Sequence, residues 1–140
     1  MINFKIILNV LGYLLVALSI LLIVPIIIDL ISGNDSWKSF LISLIITLGF
    51  GVTFLLSTRN ELKNKILTQD AFLITTLSWI FISIFGALPF FFLDSSLSLT
   101  NSIFESMSGI TTTGSTIFNE VENLPQGILI WRSILQWVGG

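Results

Sequence analysis

The sequence predicts an all-α integral membrane protein, and its composition and charge distribution carry that prediction. Of 140 residues, 54% are hydrophobic and 10% are charged, and the mean hydropathy of +0.98 lies outside the range of ordinary globular domains. Residues 6–28, 39–58 and 71–93 contain no charged residue at all. Each window reaches the roughly 20 residues that an α-helix needs to cross about 30 Å of hydrocarbon. We therefore expect three membrane-spanning helices surrounded by lipid.

The same composition excludes several classes of function. A net charge of −2, with no run of basic residues, lacks the positive surface that nucleic acid binding requires. The sequence contains neither cysteine nor histidine, so disulfides, thiolate nucleophiles and the commonest general base and metal ligand are missing. No pair of carboxylates falls within an uncharged window, and an intramembrane enzyme is therefore the least favoured function.

The first window begins after Lys5, as a secretory signal would. Its apolar stretch is, however, much longer than the roughly 7 to 15 residues of a signal core, and it lacks a small-residue cleavage site. We expect a retained helix with a kink near its far end at Pro25, followed by a polar turn marked by Asp29 and residues 32–35.

Charge asymmetry sets the expected orientation. Arg59, Lys63 and Lys65 lie between the second and third windows, whereas residues 94–126 contain four acidic residues and no basic one. The positive-inside rule places the basic group in the cytoplasm. The N-terminus is then expected to be cytoplasmic as well.

Residues 99–110 are too short and too polar to cross a bilayer, but their apolar side chains recur at helical spacing. We expect a helix of two to three turns that spans about half a membrane. Ser102 and Glu105 could form a capping box at its start, and initiation at Ser98 or Thr100 fits equally well.

Residues 111–116, which we call the threonine segment, follow this helix with the sequence Thr-Thr-Thr-Gly-Ser-Thr. β-branched threonines resist continuing a helix, and Gly114 permits backbone angles that a Cβ would forbid. The backbone is therefore expected to leave the helix and run extended before another apolar run, residues 128–138. In a soluble protein this would be an ordinary polar loop.

The order of span, half helix, extended segment and returning span changes that interpretation. Non-helical backbone at membrane depth is tolerated where it is buried or lines a watery cavity, and its carbonyls can replace the hydration shell of a cation. The C-terminal end of the half helix also presents the negative end of its dipole. These features predict a site for a monovalent cation.

Residues 104–116, 124–125 and 130–140 resemble the Trk/Ktr/HKT superfamily of potassium transporters, and within it the TrkH/TrkG-type uptake subunits. A weaker likeness runs through residues 70–72 and 86–89. The resemblance implies two N-terminal transmembrane helices before membrane–pore–membrane repeats, four in all, whose filter strands surround one potassium pathway.

On this resemblance the chain divides into a two-helix region (1–58), a cytoplasmic loop (59–70) and a first, incomplete repeat (71–140). Its final run, residues 126–140, makes about 22 Å of helix, short of a full crossing. We therefore interpret the chain as an N-terminal fragment with a truncated last helix. A truncated product, a partial sequence and a split subunit are alternative explanations.

The resemblance also implies site residues and partners. Thr112 and Thr113 would offer ion-facing carbonyls to K⁺, Gly114 would be the filter glycine, and Thr111 and Ser115 would flank it. The resemblance implies K⁺ as the transported ion and implies no organic cofactor. The implied partners are the remaining repeats, a second pore subunit in a homodimer and a cytosolic nucleotide-binding regulatory subunit, at the bacterial inner membrane.

Arg132 is the one charged residue in the last apolar run. We expect it to snorkel to the interface, with an ion pair to Glu105 that holds the filter against the returning span as the alternative hypothesis. Aromatic side chains are expected to be interfacial anchors or packing residues. These are Phe90, Phe91, Phe92, Trp37, Trp79, Trp131 and Trp137. Asp94, Glu120 and Glu122 are expected in a solvated loop.

A rival function belongs to a different class. The chain could be a non-conducting membrane scaffold or accessory subunit that binds helices of a larger complex. That function predicts indifference to substitutions at Thr112, Thr113 and Gly114, whereas a potassium pathway does not.

Overall fold

The computed structural model describes residues 3–58, 67–93 and 97–140, and within these ranges the secondary structure is entirely helical. The helices are α1 (Phe4–Leu21), α2 (Ile23–Ser32), α3 (Trp37–Thr58), α4 (Thr68–Leu93), α5 (Leu99–Ile110) and α6 (Gln126–Gly139), with a 3₁₀ turn at Val121–Asn123. Arg59, Lys63, Lys65 and Asp94, on which the expected orientation partly depends, lie outside the described residues.

Three helical stretches in the described residues are long and apolar enough to cross a membrane: Phe4–Ser32, Trp37–Thr58 and Thr68–Leu93. They coincide with the three uncharged windows. The first stretch consists of α1 and α2, separated at Leu22. The interruption lies one turn before Pro25 because a proline ring lacks an N–H and clashes with the carbonyl four residues earlier, here that of Leu21.

Helices α1 and α3 pack closely and antiparallel. A Cβ at Gly51 would lie 2.9 Å from Cγ2 of Val16 and 3.2 Å from the Gly12 carbonyl oxygen. Near the other end of the pair, the Asn9 side chain donates a buried 2.8 Å hydrogen bond to Oγ1 of Thr58. Of the two glycines in the second window, Gly51 permits this approach, whereas Gly49 faces open space.

Asp70 joins the N-terminal ends of α1 and α4. Its buried carboxylate accepts hydrogen bonds from the backbone N–H groups of Asn3 at 2.9 Å and Leu67 at 3.1 Å. Helices α1 and α4 therefore start on the same side of the bundle. Helix α3, which lies between them in the sequence, runs in the opposite direction.

The sequence analysis expected Asp29 to mark a polar turn, and this is wrong. Asp29 belongs to α2 and its side chain is fully buried. One carboxylate oxygen accepts from Oγ of Ser36 at 2.6 Å, and the other accepts from the backbone N–H of Gly127 at 2.7 Å. The expectation was wrong because the first turn of α6 lies against α2 and requires a hydrogen-bond acceptor.

Helix α4 contains Pro89 and continues to Leu93. Phe90 is fully buried and packs against Phe118, with ring centroids 6.4 Å apart, rather than anchoring an interface. Trp131 is also fully buried, because its indole Nε1 donates a 3.0 Å hydrogen bond to the Gly86 carbonyl. Trp137, by contrast, is 76% exposed.

The glycines of α3 offer a matched test of the α1–α3 contact. Gly51→Leu should destabilise the protein, because the new side chain must push Val16 and the α1 backbone away, and overpacking typically costs about 1–3 kcal/mol. Gly49→Leu, two residues away on the same helix, should be tolerated. Thermal unfolding of detergent-solubilised protein measures both, and equal melting temperatures for the two variants would contradict this packing.

Candidate functional site

Helix α5 begins at Leu99 with Ser98 as its N-cap, which agrees with initiation at Ser98, one of the expected alternatives. The Ser98 side chain accepts a hydrogen bond from the backbone N–H of Asn101 at 3.1 Å, which is a normal N-cap. The capping box of Ser102 with Glu105 is not formed. Ser102 lies inside the helix and donates back to the Ser98 carbonyl, while Glu105 points to other partners.

The C-terminal end of α5 lies level with the middle of α4. Oγ of Ser83 donates to Sδ of Met107 at 3.3 Å, and Ile110 lines a small cavity together with Trp79 and Val138. Ser83 and Trp79 both lie near the middle of the 26-residue α4. The half helix therefore reaches about half the depth of a full span before it ends.

The end of α5 is a tight turn, not the directly extended backbone that the sequence analysis expected. The N–H of Thr113 donates to the Ser108 carbonyl at 3.0 Å, and that of Thr112 donates to the Gly109 carbonyl at 2.9 Å. This pattern satisfies carbonyls that the helix itself leaves unpaired. It requires a left-handed residue, and Thr112 takes that position with φ +56°.

Two positions of the threonine segment thus have positive φ: Thr112, at +56°, and Gly114, at +76°. For a β-branched residue such as Thr112, this conformation costs on the order of 1–3 kcal/mol. At Gly114 a Cβ would meet nothing within 4 Å. The glycine is therefore required by the backbone conformation and not by lack of space.

Hydroxyl groups engage the carbonyls at both ends of the segment. The Thr111 carbonyl accepts from Oγ1 of Thr112 at 2.7 Å, and the Ser115 carbonyl accepts from Oγ of Ser108 at 2.6 Å. Between them, no hydrogen bond within the described ranges uses the carbonyl oxygens of Thr112, Thr113 or Gly114. The whole segment is exposed, so this arrangement leaves three consecutive carbonyls available to a ligand.

Glu105 binds the far end of the segment and α6 at once. Its side chain is 1% exposed, and Oε1 lies 2.7 Å from Nε of Arg132, whose side chain is 14% exposed. Oγ1 of Thr116 donates to both carboxylate oxygens at 3.0 and 3.1 Å, and the N–H of Ile117 donates at 3.0 Å. We call these contacts of Glu105 with Arg132, Thr116 and Ile117 the Glu105 clamp.

The clamp shows why the snorkelling expectation for Arg132 was wrong: the guanidinium turns inward because an otherwise unpaired buried carboxylate lies beside it. Sequence reasoning identified the two partners but missed the contacts with Thr116 and Ile117. The sequence did contain a signal for such contacts. Glu105 is the only charged residue between positions 99 and 110, and a buried charge requires polar partners.

The loop between the threonine segment and α6 is the other polar region. Glu120 and Glu122 are exposed, as expected for a solvated loop. In the parts of the chain that the structure describes, no group of three or more acidic residues is placed to hold a metal ion.

The clamp can be tested by charge removal. Arg132→Ala should cost about 3–5 kcal/mol of stability, because it leaves the Glu105 carboxylate buried without its partner. The double variant Glu105→Gln with Arg132→Gln should cost less, since no unpaired charge remains buried. Glu122→Gln, in the exposed loop, is the control. The measurement is the thermal unfolding temperature of each variant. If Arg132→Ala unfolds at the same temperature as Glu122→Gln, the clamp does not stabilise the protein as described.

The sequence is similar to known proteins over almost its whole length. The family model for TrkH, a cation transport protein, matches residues 36–140. The Trk system potassium uptake protein TrkH of Halomonas elongata is 40% identical over 139 residues, which cover 99% of this chain and 29% of that protein. The Escherichia coli TrkH is 35% identical with the same coverage.

A solved structure of a TrkH protein has a similar fold. The crystal structure of the potassium transporter TrkH from Vibrio parahaemolyticus matches with a TM-score of 0.86 and 32% identity, covering 99% of this chain and 30% of that one. The chain thus spans about three tenths of the length of these relatives. Its relatives are membrane transporters and not enzymes. The chain belongs to the TrkH family of cation transport proteins.

Proposed function

We propose that this chain contributes one filter strand to a transmembrane potassium pathway, with K⁺ bound by the backbone carbonyls of Thr112 and Thr113 beside Gly114. The observation that carries the proposal is the set of consecutive carbonyls, free of hydrogen bonds within the described residues, that begins where α5 ends. The potassium transport named for its relatives supports the choice of ion.

The chemistry suits a monovalent cation that must leave quickly. Carbonyl dipoles can replace the hydration shell of K⁺ without the tight binding that a formal negative charge produces. The C-terminal end of α5 adds the negative end of a helix dipole beside them. The Thr111 and Ser115 carbonyls are occupied by hydroxyl donors, which supports a flanking role for these two residues.

A single filter strand, such as the threonine segment, can contact an ion from one side only. The exposure of the threonine segment supports a pathway in which further strands complete the ring. We assign residues 71–140 to the pore-forming unit, residues 1–58 to a two-helix region beside it and residues 59–70 to the cytoplasmic connection, of which residues 68–70 already belong to the first turn of α4. The additional strands would come from other repeats of a larger transporter or from associated chains.

The orientation belongs to the same proposal. The N-terminal ends of α1 and α4 share one side through Asp70, and Arg59, Lys63 and Lys65 lie in the sequence between α3 and α4. The positive-inside rule assigns that side to the cytoplasm. The N-terminus is then cytoplasmic, the start of α6 faces outward, and the membrane is the bacterial inner membrane. A homodimeric pore and a cytosolic nucleotide-binding regulatory subunit are the proposed partners.

Gly114 gives the sharpest test of this function. Gly114→Ala places a Cβ on a left-handed residue at a cost of about 1–2 kcal/mol, although space is available, so the neighbouring carbonyls must turn. We expect the assembled transporter to lose discrimination between rubidium, a tracer for potassium, and sodium. Competitive uptake into proteoliposomes measures that ratio.

Gly49→Ala serves as the control, because its Cβ also meets nothing within 4 Å but its φ is not positive. It should keep the selectivity of the unmodified protein. Unchanged selectivity in Gly114→Ala would instead favour the non-conducting scaffold or accessory subunit.

A further inference from the structure

A second polar cluster lies outside the threonine segment, where α2 meets the start of α6. At its centre is Asp29, whose side chain is fully buried. Asp29 forms no ion pair with any residue in the described ranges, and its carboxylate is stabilised by hydrogen bonds from Ser36 and Gly127 and by a longer one, of 3.5 Å, from the side-chain amide of Asn34. Burying a carboxylate is costly unless it is well hydrogen-bonded, so this position calls for a physical explanation.

The explanation lies in how α6 begins. The residue at its N-cap is Pro125, which has no side-chain hydrogen-bond acceptor to offer the first turn. The carboxylate of Asp29 supplies that acceptor from a helix 98 residues away in sequence, by binding the N–H of Gly127. The positive end of the α6 dipole favours a negative charge at this point.

The contact between Gly127 and Asp29 leaves no space for a larger side chain at position 127. A Cβ on Gly127 would overlap the carboxylate of Asp29. The first turn of α6 can therefore approach α2 this closely only with glycine at position 127. Ser32 and Gln126 add a more exposed hydrogen bond of 2.7 Å at the same junction.

The junction is connected to the threonine segment through α6. Arg132 lies five residues after Gly127, about 7.5 Å further along the helix axis. Its guanidinium binds Glu105, which in turn binds Thr116 and Ile117. A shift of the first turn of α6 would therefore move Arg132, and with it the polar contacts that join Glu105 to the end of the threonine segment.

We propose that Asp29 is a positioning residue for the potassium site: it fixes the start of α6 and, through Arg132 and Glu105, the geometry of the threonine segment. This inference rests on the proposed function. It gives α2 a role in ion selection, although the family match begins at residue 36 and does not include that helix.

The physical consequence of losing the carboxylate is specific. Asp29→Ala leaves the Gly127 N–H and the Ser36 hydroxyl without their acceptor in a buried site. The first turn of α6 then loosens, and Arg132 shifts relative to Glu105. Asp29→Asn keeps one carbonyl oxygen for the Gly127 N–H and should retain much of the geometry. Ser32→Ala removes only the exposed hydrogen bond of the same junction.

The experiment is rubidium uptake, in competition with sodium, into proteoliposomes that contain the assembled transporter. Rates are expressed per folded transporter. For Asp29→Ala we expect a lower rubidium-to-sodium ratio and a higher half-saturating rubidium concentration, each by a factor on the order of 2 to 30. Gly127→Ala, which keeps the charge but fills the contact, should shift both quantities in the same direction. Asp29→Asn and Ser32→Ala should stay close to the unmodified protein.

A purely structural role for Asp29 would lower the yield of folded protein and leave selectivity and half-saturation unchanged in both Asp29→Ala and Gly127→Ala. That result overturns the positioning role. If Gly114→Ala alters selectivity while the two junction variants do not, the proposed function stands and this inference fails. If Gly114→Ala also leaves selectivity unchanged, the proposed function itself fails.

Discussion

The buried carboxylate of Glu105 is the group on which the arrangement of α5, the threonine segment and α6 depends. Three separate parts of the chain meet there: α5, which carries it, α6, which supplies Arg132, and the end of the threonine segment at Thr116 and Ile117. A buried charge without partners would be very unfavourable. The need to satisfy this one group therefore brings two helices and a loop into a single geometry.

The carbonyl-lined surface follows from how a short helix ends. A helix that stops at half depth leaves carbonyls unpaired, and the turn at Thr111 and Thr112 satisfies those of Ser108 and Gly109. This turn requires Thr112 to adopt a left-handed conformation, which is unfavourable for a β-branched residue. The next three carbonyls accept no hydrogen bond within the described residues, and hydroxyl groups bind the carbonyls of Thr111 and Ser115 on either side.

Much of this architecture could be predicted from the sequence, because uncharged windows and helical spacing report directly on spans and on the half helix. The windows 6–28, 39–58 and 71–93 lie within helical stretches, and positive φ at Gly114 follows from what glycine permits. Long-range contacts could not be predicted in this way. Asp29 looked like a turn residue because nothing local indicates that the first turn of α6, 98 residues later, requires its carboxylate. The clamp on Ile117 was missed for the same reason.

The break at Leu22 has a consequence for how the first span fits its surroundings. A straight helix over the 29 residues Phe4–Ser32 would measure about 43 Å, well beyond the roughly 30 Å of the hydrocarbon layer. Such a mismatch is usually relieved by tilting or bending. In this chain the part of the stretch that follows the break carries the Asp29 carboxylate to the start of α6, so the residues that exceed the thickness of the hydrocarbon layer also cap a neighbouring helix.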